Sequence, residues 1–427
     1  MSVENLNSQS RHTLADWLCY IEQSHPIDKI EMGLERVKRV AERGNLTSLP
    51  GQVVLVAGTN GKGTTLRTLE QVLLAQGHTV GVYTSPHLQY FNERLRLNGQ
   101  DVADADWLDA FALVDALRQD TSLTYFEFTT LVAFAILQAH SPEYCLIEVG
   151  LGGRLDATNI IEPDVSVITT IGLDHQDWLG HDVESISKEK AGIFRTGKVA
   201  ISGEVEPPQA ILAVALEKGT TLLQVGQHFH YRLASDSWEW QGISHRYANL
   251  PLPGVPVQNV ATSLAVLEQL GKLPAEATLN ACLSQLRLPG RMQFVQHQPD
   301  VLLDVAHNPQ SAAYLASQLH ILKPRYSKII ALVGMLKDKD VTQTLAPLTA
   351  YVDEWHLASL PGTRGANNVL LAEALSVVSS GNMLSVYDYD SMQTAYPAIM
   401  QTLQPSTLLV VFGSFITVSA VLAMRQE

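Results

Sequence analysis

Short apolar runs, each closed by glycine or small polar residues and separated by stretches of helical spacing, set the rhythm of this chain. VVLVA at 53–57 is β-branched and ends at Gly58, and the segment from Thr64 to Gln76 then has helical composition closed by Gly77. This predicts a strand, a loop and a helix. TVGVYT at 79–84 predicts a second strand that stops at Ser85-Pro86-His87. Two helices over Trp107–Leu117 and Glu127–His140 precede another apolar run, YCLIEVG at 144–150. VSVITTIGLDH at 165–175 repeats the form. Strands that read apolar throughout, spaced by helices, imply a largely parallel sheet covered on both faces, with ligands gathering beyond the carboxyl ends of its strands.

Upstream, Thr13 to Arg43 reads as helices broken at His25-Pro26, with Leu34, Val37, Val40 and Ala41 on one face. Between about 220 and 250 the texture turns aromatic and rich in turns, suited to a small antiparallel element. A helix over Val257–Leu270 follows, and LRLPGRMQF at 286–294 has the Pro, Gly and bulky residues of an interdomain junction. A second α/β pattern then runs through VLLDVAHNP at 301–309, KIIALVG at 328–334, YVDEWHLA at 351–358, a helix from Asn368, and TLLVVFG at 407–413 before a final helix.

The 427 residues, 46% of them hydrophobic, are enough for two cores. A net charge of -14 argues against nucleic acid or an anionic membrane as a general partner. Cys19, Cys145 and Cys282 are scattered without metal-ligand spacing and read as small apolar fillers. The N-terminus has no basic start followed by an apolar run, and no stretch reaches the length of a membrane span, so the expected compartment is the cytoplasm.

The strongest chemical signal is GTNGKGTT, Gly58 to Thr65, between the first strand and its helix. Glycines let backbone N–H groups curve around phosphate oxygens, Lys62 adds a positive charge, and the helix N-terminus adds its dipole. Gly58, Thr59, Asn60, Gly61, Lys62, Gly63 and Thr64 are therefore the expected triphosphate cradle, although Gly63 departs from the usual P-loop spacing. A Gly-rich turn with an exposed lysine is the bland alternative. A triphosphate brings a divalent cation with a preference for oxygen ligands. Ser85, Glu148 and His175 sit at the ends of neighbouring predicted strands, where they are candidate ligands; singly, each is also readable as a turn residue or a strand terminator. Lys190 in ISKEKAGIF reads by spacing as a solvated helix lysine paired with Glu184 or Glu189, with support of a transferring phosphoryl group or a second metal as the alternative.

These segments resemble the folylpolyglutamate synthase and dihydrofolate synthase family, within the Mur ligase superfamily. The resemblance rests on GTNGKGTT, SPHLQYFNERLRLNG at 85–99, EVGLGGRLDATN at 148–159, GLDHQDWLG at 172–180, KEKAGIFR at 188–195 and LDVAHNP at 303–309, in that order, and it is nearest to the bifunctional bacterial enzyme. The fold it implies is α/β, a P-loop-containing, mostly parallel lobe over 1–295 followed by a smaller Rossmann-like lobe over 296–427, with a hinge near 287–300. It further implies that Ser85, Glu148 and His175 bind magnesium, and that Lys190 is carbamylated and holds a second magnesium ion. Asn259, Arg291, Asp304 and His307 would complete the ATP site from the C-terminal half, His307 orienting the transferring group. Ile30, Glu31 and Met32, Thr124, Tyr125, Phe126 and Glu127, and the turn Leu155, Asp156 and Ala157 would form the pteroate pocket. Of its aromatics, Tyr125, Phe126 and Phe128 supply flat apolar surface, and Glu127 or Asp156 is placed to accept pterin N–H bonds.

What the resemblance implies chemically is activation of a carboxylate by MgATP to an acyl phosphate, which the amine of L-glutamate then displaces. The acceptors would be 7,8-dihydropteroate and reduced folates, handled by a monomer. Three other readings are a monofunctional member, a Mur-type ligase acting on a cell-wall nucleotide precursor, and a non-enzymatic nucleotide-gated interaction protein. The last leaves Glu148, His175 and the polar cluster of the second lobe without a shared task.

Overall fold

The computed structural model describes residues 11–25, 31–379 and 384–426. Ile30 lies outside the described residues.

The first lobe is built on an eight-stranded sheet. In chain order its strands are β1 (Gln52–Ala57), β2 (Val80–Tyr83), β3 (Leu95–Leu97), β4 (Gln100–Asp101), β5 (Tyr144–Glu148), β6 (Val165–Ile168), β7 (Val199–Ser202) and β8 (Thr221–Gln224). Their spatial order is β4-β3-β2-β5-β1-β6-β7-β8, all parallel from β2 onward, with β3 and β4 added antiparallel at one edge. That edge is an Asn98-Gly99 hairpin, both residues at positive φ (51° and 81°), the backbone a tight primed turn demands. Along β1 the side chains alternate between two cores: Val53, Leu55 and Ala57 face one, Val54 and Val56 the other. A strand buried on both faces is why VVLVA carries no polar alternation.

A small antiparallel sheet of β9 (His230–Leu233), β10 (Ser237–Gln241) and β11 (Arg246–Pro251) lies outside, as the aromatic texture suggested. Trp238 and Trp240 are its buried face, and the Trp240 indole donates to the Ala261 carbonyl of the helix Val257–Gln269 at 3.0 Å.

The second lobe holds β12 (Gln293–Gln296), β13 (Asp300–Leu303), β14 (Lys328–Val333), β15 (Glu354–Ala358), β16 (Ser385–Tyr389) and β17 (Thr407–Phe412), in the order β12-β13-β17-β14-β15-β16. All pairs but β12–β13 are parallel. The sheet takes up the chain inside the stretch where the hinge is expected. Among the cysteines, Cys145 is buried and Cys282 half-buried, but Cys19 is exposed, so it fills no core. Among the described residues no helix is long and apolar enough to cross a membrane.

Candidate active site

In the sheet order, β2, β5, β1 and β6 are immediate neighbours, so the residues following their carboxyl ends converge. After β1 comes the glycine loop. The extension of β6 holds it down: Thr59 N–H donates to the Thr170 carbonyl at 2.7 Å, and the Thr169 hydroxyl donates to the Asn60 carbonyl at 2.6 Å. Gly58 has φ 149°, and a Cβ there would strike the Thr169 hydroxyl; Gly61 has φ 92°, and a Cβ there would strike the Asn259 side chain. The loop can only be this tight because it is made of glycine. It opens the helix Lys62–Ala75, which has no side-chain N-cap, so its first N–H groups are left to an anionic ligand.

Lys62 Nζ donates to the Gly58 carbonyl at 3.0 Å, and Lys190 Nζ donates to the same carbonyl at 3.1 Å. Lys190 is therefore not the solvated lysine its spacing suggested. The helix Val183–Ala191 carries it inward to 5% exposure, while Glu189 pairs with Arg154 instead. Burial, reinforced by the Lys62 charge, pulls the Lys190 ammonium down to about 7.

Beyond β5 and β2, the Ser85 N–H donates to Glu148 Oε2 at 3.3 Å. Glu148 is buried, and burial pushes its carboxyl above the ordinary range despite the opposing pull of Lys62. A buried carboxylate with so little neutralisation, flanked by a hydroxyl, suits a hard cation whose other ligands are water and phosphate. His175 sits at φ 52° and begins the short helix Gln176–Leu179. Burial first, and then the Lys339 ammonium 3.4 Å from its Nε2, lower its pKa to about 4, leaving the neutral ring that metal binding requires.

The second lobe reaches into the same space. Asp304, at the end of β13, accepts from Met292 N–H at 2.9 Å and Ala306 N–H at 2.8 Å, and so orders the turn carrying Arg291. The N-cap of the following helix, Pro309–Leu322, is Asn308 and not Asp304. Arg291 is half-buried, its guanidinium 5.0 Å from the Phe415 ring centre. His307 donates through Nδ1 to the Val305 carbonyl at 2.8 Å, leaving Nε2 3.6 Å from Asp174.

Direct bonds join the lobes. Asn60 and Asn308 exchange amide hydrogen bonds at 3.1 Å, and Asn60 also donates to Gln310 at 2.6 Å. Asp174 receives Lys339 Nζ at 2.6 Å and Asn308 Nδ2 at 3.2 Å. Burial alone would raise the Asp174 carboxyl, but the His307 ring and the Lys339 ammonium outweigh it and hold it well below the usual range. Neither Asp174 nor Lys339 was singled out by the sequence reading. Asp174 stood beside His175 in GLDH, and Lys339 had only its place in a loop between apolar strands as a signal.

Toward the other end, Phe126 packs its ring over Gly150, and Tyr125 lies with its ring centre 5.7 Å from the Arg94 guanidinium. Both line the cleft. Phe128 does not; it packs in the core against Phe111, with ring centroids 5.9 Å apart. Glu127 accepts the Thr124 N–H at 2.7 Å with one oxygen and Arg36 at 3.2 Å with the other. Asp156 accepts Leu151 N–H at 2.8 Å and Thr158 N–H at 3.0 Å. Both carboxylates are thus anchored within the protein. Arg94, missed in the sequence, is buried and donates to His87 at 2.9 Å.

One interlobe cleft of about 1120 Å³ gathers these parts, and of the described residues selected from the sequence for the site all but Phe128 line it.

Two family models match the chain: the Mur ligase middle domain over residues 56–247 and the Mur ligase, glutamate ligase domain over residues 290–415. The chain is 45% identical to the Escherichia coli dihydrofolate synthase/folylpolyglutamate synthase, across 97% of this chain and 96% of that one. The structure of Escherichia coli FolC in complex with DHPP and ADP superposes with a TM-score of 0.92 at 44% identity, covering 98% of this chain and 99% of that one. The Yersinia pestis bifunctional folylpolyglutamate synthase/dihydrofolate synthase complexed with AMPPNP and Mn ion superposes with a TM-score of 0.90 at 46% identity, covering 98% of this chain and 100% of that one. A bifunctional enzyme of the same description with Mn, AMPPNP and L-glutamate bound gives 0.90 at 45%, with coverage of 98% and 99%.

Proposed function

The chain belongs to the dihydrofolate synthase/folylpolyglutamate synthase family of Mur ligases, and from that premise we propose that it is a bifunctional, ATP-dependent ligase adding L-glutamate to 7,8-dihydropteroate and to reduced folates. The observation that carries this reading is the single cleft in which a phosphate loop, a buried carboxylate and an aromatic-walled pocket face residues of the second lobe.

A carboxylate condenses with an amine in water only after activation. The glycine loop and Lys62 hold the triphosphate, Arg291 closes on it from the junction between the lobes, and Asn259 backs the loop from behind. Thr124, Tyr125, Phe126 and Glu127, with Glu31, Met32 and the Leu155-Asp156-Ala157 turn, present the acceptor's carboxylate to the γ-phosphorus. Attack of a carboxylate oxygen there releases ADP and gives an acyl phosphate. The amine of L-glutamate then attacks the acyl carbon, loses a proton, and expels phosphate. Asp304 and His307 keep the second lobe's face of the cleft in place. Closure of the lobes excludes water that would hydrolyse the intermediate.

Ser85, Glu148 and His175 are the residues that would hold magnesium, which supplies charge neutralisation for phosphoryl transfer. A second ion belongs near Lys190. Its amine, lowered to about 7, has a substantial neutral fraction near neutral pH, the form that adds carbon dioxide to become a carbamate. We take the protein to be a cytoplasmic monomer divided into lobes near residue 295; that both faces of the cleft come from one chain supports the monomer.

The test is phosphate release by the purified protein with MgATP and L-glutamate, comparing dihydropteroate, tetrahydrofolate and no acceptor. Release with both acceptors is expected. Release with only one makes the enzyme monofunctional, and vigorous release with neither contradicts a ligase.

A further inference from the structure

Arg36 lines no part of the cleft, yet it touches both segments that wall its acceptor end. From the helix Glu35–Arg43 its guanidinium gives Nη1 to Glu31 Oε2 at 2.6 Å and Nη2 to the Glu31 carbonyl at 3.1 Å. On the opposite side, Nη2 and Nε reach Glu127 Oε1 at 3.2 and 3.4 Å. Glu127 is 3% exposed, and its other oxygen accepts the Thr124 N–H at the start of the helix Tyr125–His140. The first turn of that helix carries Tyr125 and Phe126 into the cleft.

We propose that Arg36 is a positioning residue for the acceptor pocket, fastening the Glu31-Met32 segment to the first turn of the helix Tyr125–His140. The inference rests on the reading that these walls hold the pterin acceptor. A planar fork of donors spans the two carboxylates and the Glu31 carbonyl together, which a single ammonium point cannot do. Without it, the buried Glu127 carboxylate loses its countercharge while Thr124 still holds the other oxygen, and the Glu31 segment loses both a side-chain and a main-chain anchor. The phosphate loop is held by other groups, Thr169 and Thr170 beyond β6 and Asn308 of the second lobe.

Arg36→Gln and Arg36→Lys would be compared with the unaltered enzyme for KM of dihydropteroate, KM of ATP, kcat and thermal unfolding. The KM for dihydropteroate is expected to rise about tenfold in Arg36→Gln, with the KM for ATP nearly unchanged and Arg36→Lys recovering only part of the loss. Equilibrium binding of dihydropteroate in the presence of MgADP should weaken in parallel. An unchanged dihydropteroate KM overturns the proposal, as does a rise in both KM values together that follows lost thermal stability, the signature of a merely structural arginine. If Arg36→Gln does not fold, Arg36→Lys carries the same comparison. Failure of the unaltered enzyme to use dihydropteroate at all contradicts the proposed function instead, so the two failures are distinguishable.

Discussion

Lys62 and Lys190 donate to one carbonyl, that of Gly58, and the two ammonium groups differ sharply in surroundings. Lys62 stands at the cleft, where the proposed mechanism has phosphate charge develop during transfer. Its replacement by Ala should lower kcat by roughly 10²- to 10³-fold, the usual loss when a preorganised positive donor is removed, as measured by steady-state phosphate release. Lys190 is buried, and its pKa near 7 has a thermodynamic consequence. Between about 7 and the ordinary lysine value of 10.5, the unfolded chain holds a proton that the native protein does not. Stability contributed by this group therefore rises with pH across that window and is lower below it. In carbon-dioxide-free buffer, Lys190→Met should lose this part of the slope relative to the unaltered protein in urea unfolding; equal slopes would show the amine to be charged in the fold. Glu148→Gln should weaken Mn²⁺ binding followed by electron paramagnetic resonance, since its buried carboxylate lies beside Ser85, whose N–H it accepts. Residue types and motif order made the loop, Ser85 and Glu148 legible. Lys190 needed a motif resemblance, because helical spacing reports which residues share a face and not what that face lies against.

At the scale of elements, the strand ends were readable because β1, β2, β5 and β6 are buried on both faces and read mostly apolar. Elements outside that pattern were hidden. β16, Ser385–Tyr389, is mostly exposed at the sheet edge, so its residues show no apolar run. β7, Val199–Ser202, is largely buried, but its apolar run is only Val199-Ala200-Ile201, between Lys198 and Ser202. The β3–β4 hairpin had its signal in Asn98-Gly99, but the strands beside it are three and two residues long. The glycine loop shows how closely one element depends on another. Thr169 and Thr170, just past β6, pin it, and Asn259 occupies the space beside Gly61. Gly61→Ala must therefore displace Asn259 and abandon a φ of 92°. The expected outcome is at least tenfold weaker ATP binding by calorimetry, at a cost of about 1 to 3 kcal/mol for the strained backbone, with dihydropteroate binding much less affected.

For the whole molecule, two α/β lobes were foreseeable from the recurrence of the α/β pattern, but the bonds between lobes were not. Lys339 meets Asp174 across a separation of 165 residues, and no local periodicity encodes such a pair. Both side chains are under a tenth exposed, so loss of one partner leaves a buried charge. Lys339→Met and Asp174→Asn should each destabilise by about 3 to 5 kcal/mol, and the double variant by clearly less than their sum. Strict additivity in denaturant unfolding would mean that the pair does not act as a latch. The same arrangement brings Arg291 and Asp304 to the cleft that the loop lines. The most direct measurement of the central claim follows the oxygen atoms of the acceptor. Dihydropteroate labelled with oxygen-18 in its carboxylate, turned over with MgATP and L-glutamate, should pass label into the released inorganic phosphate, as an acyl phosphate requires. Phosphate released without label, alongside formation of the glutamate adduct, would contradict it.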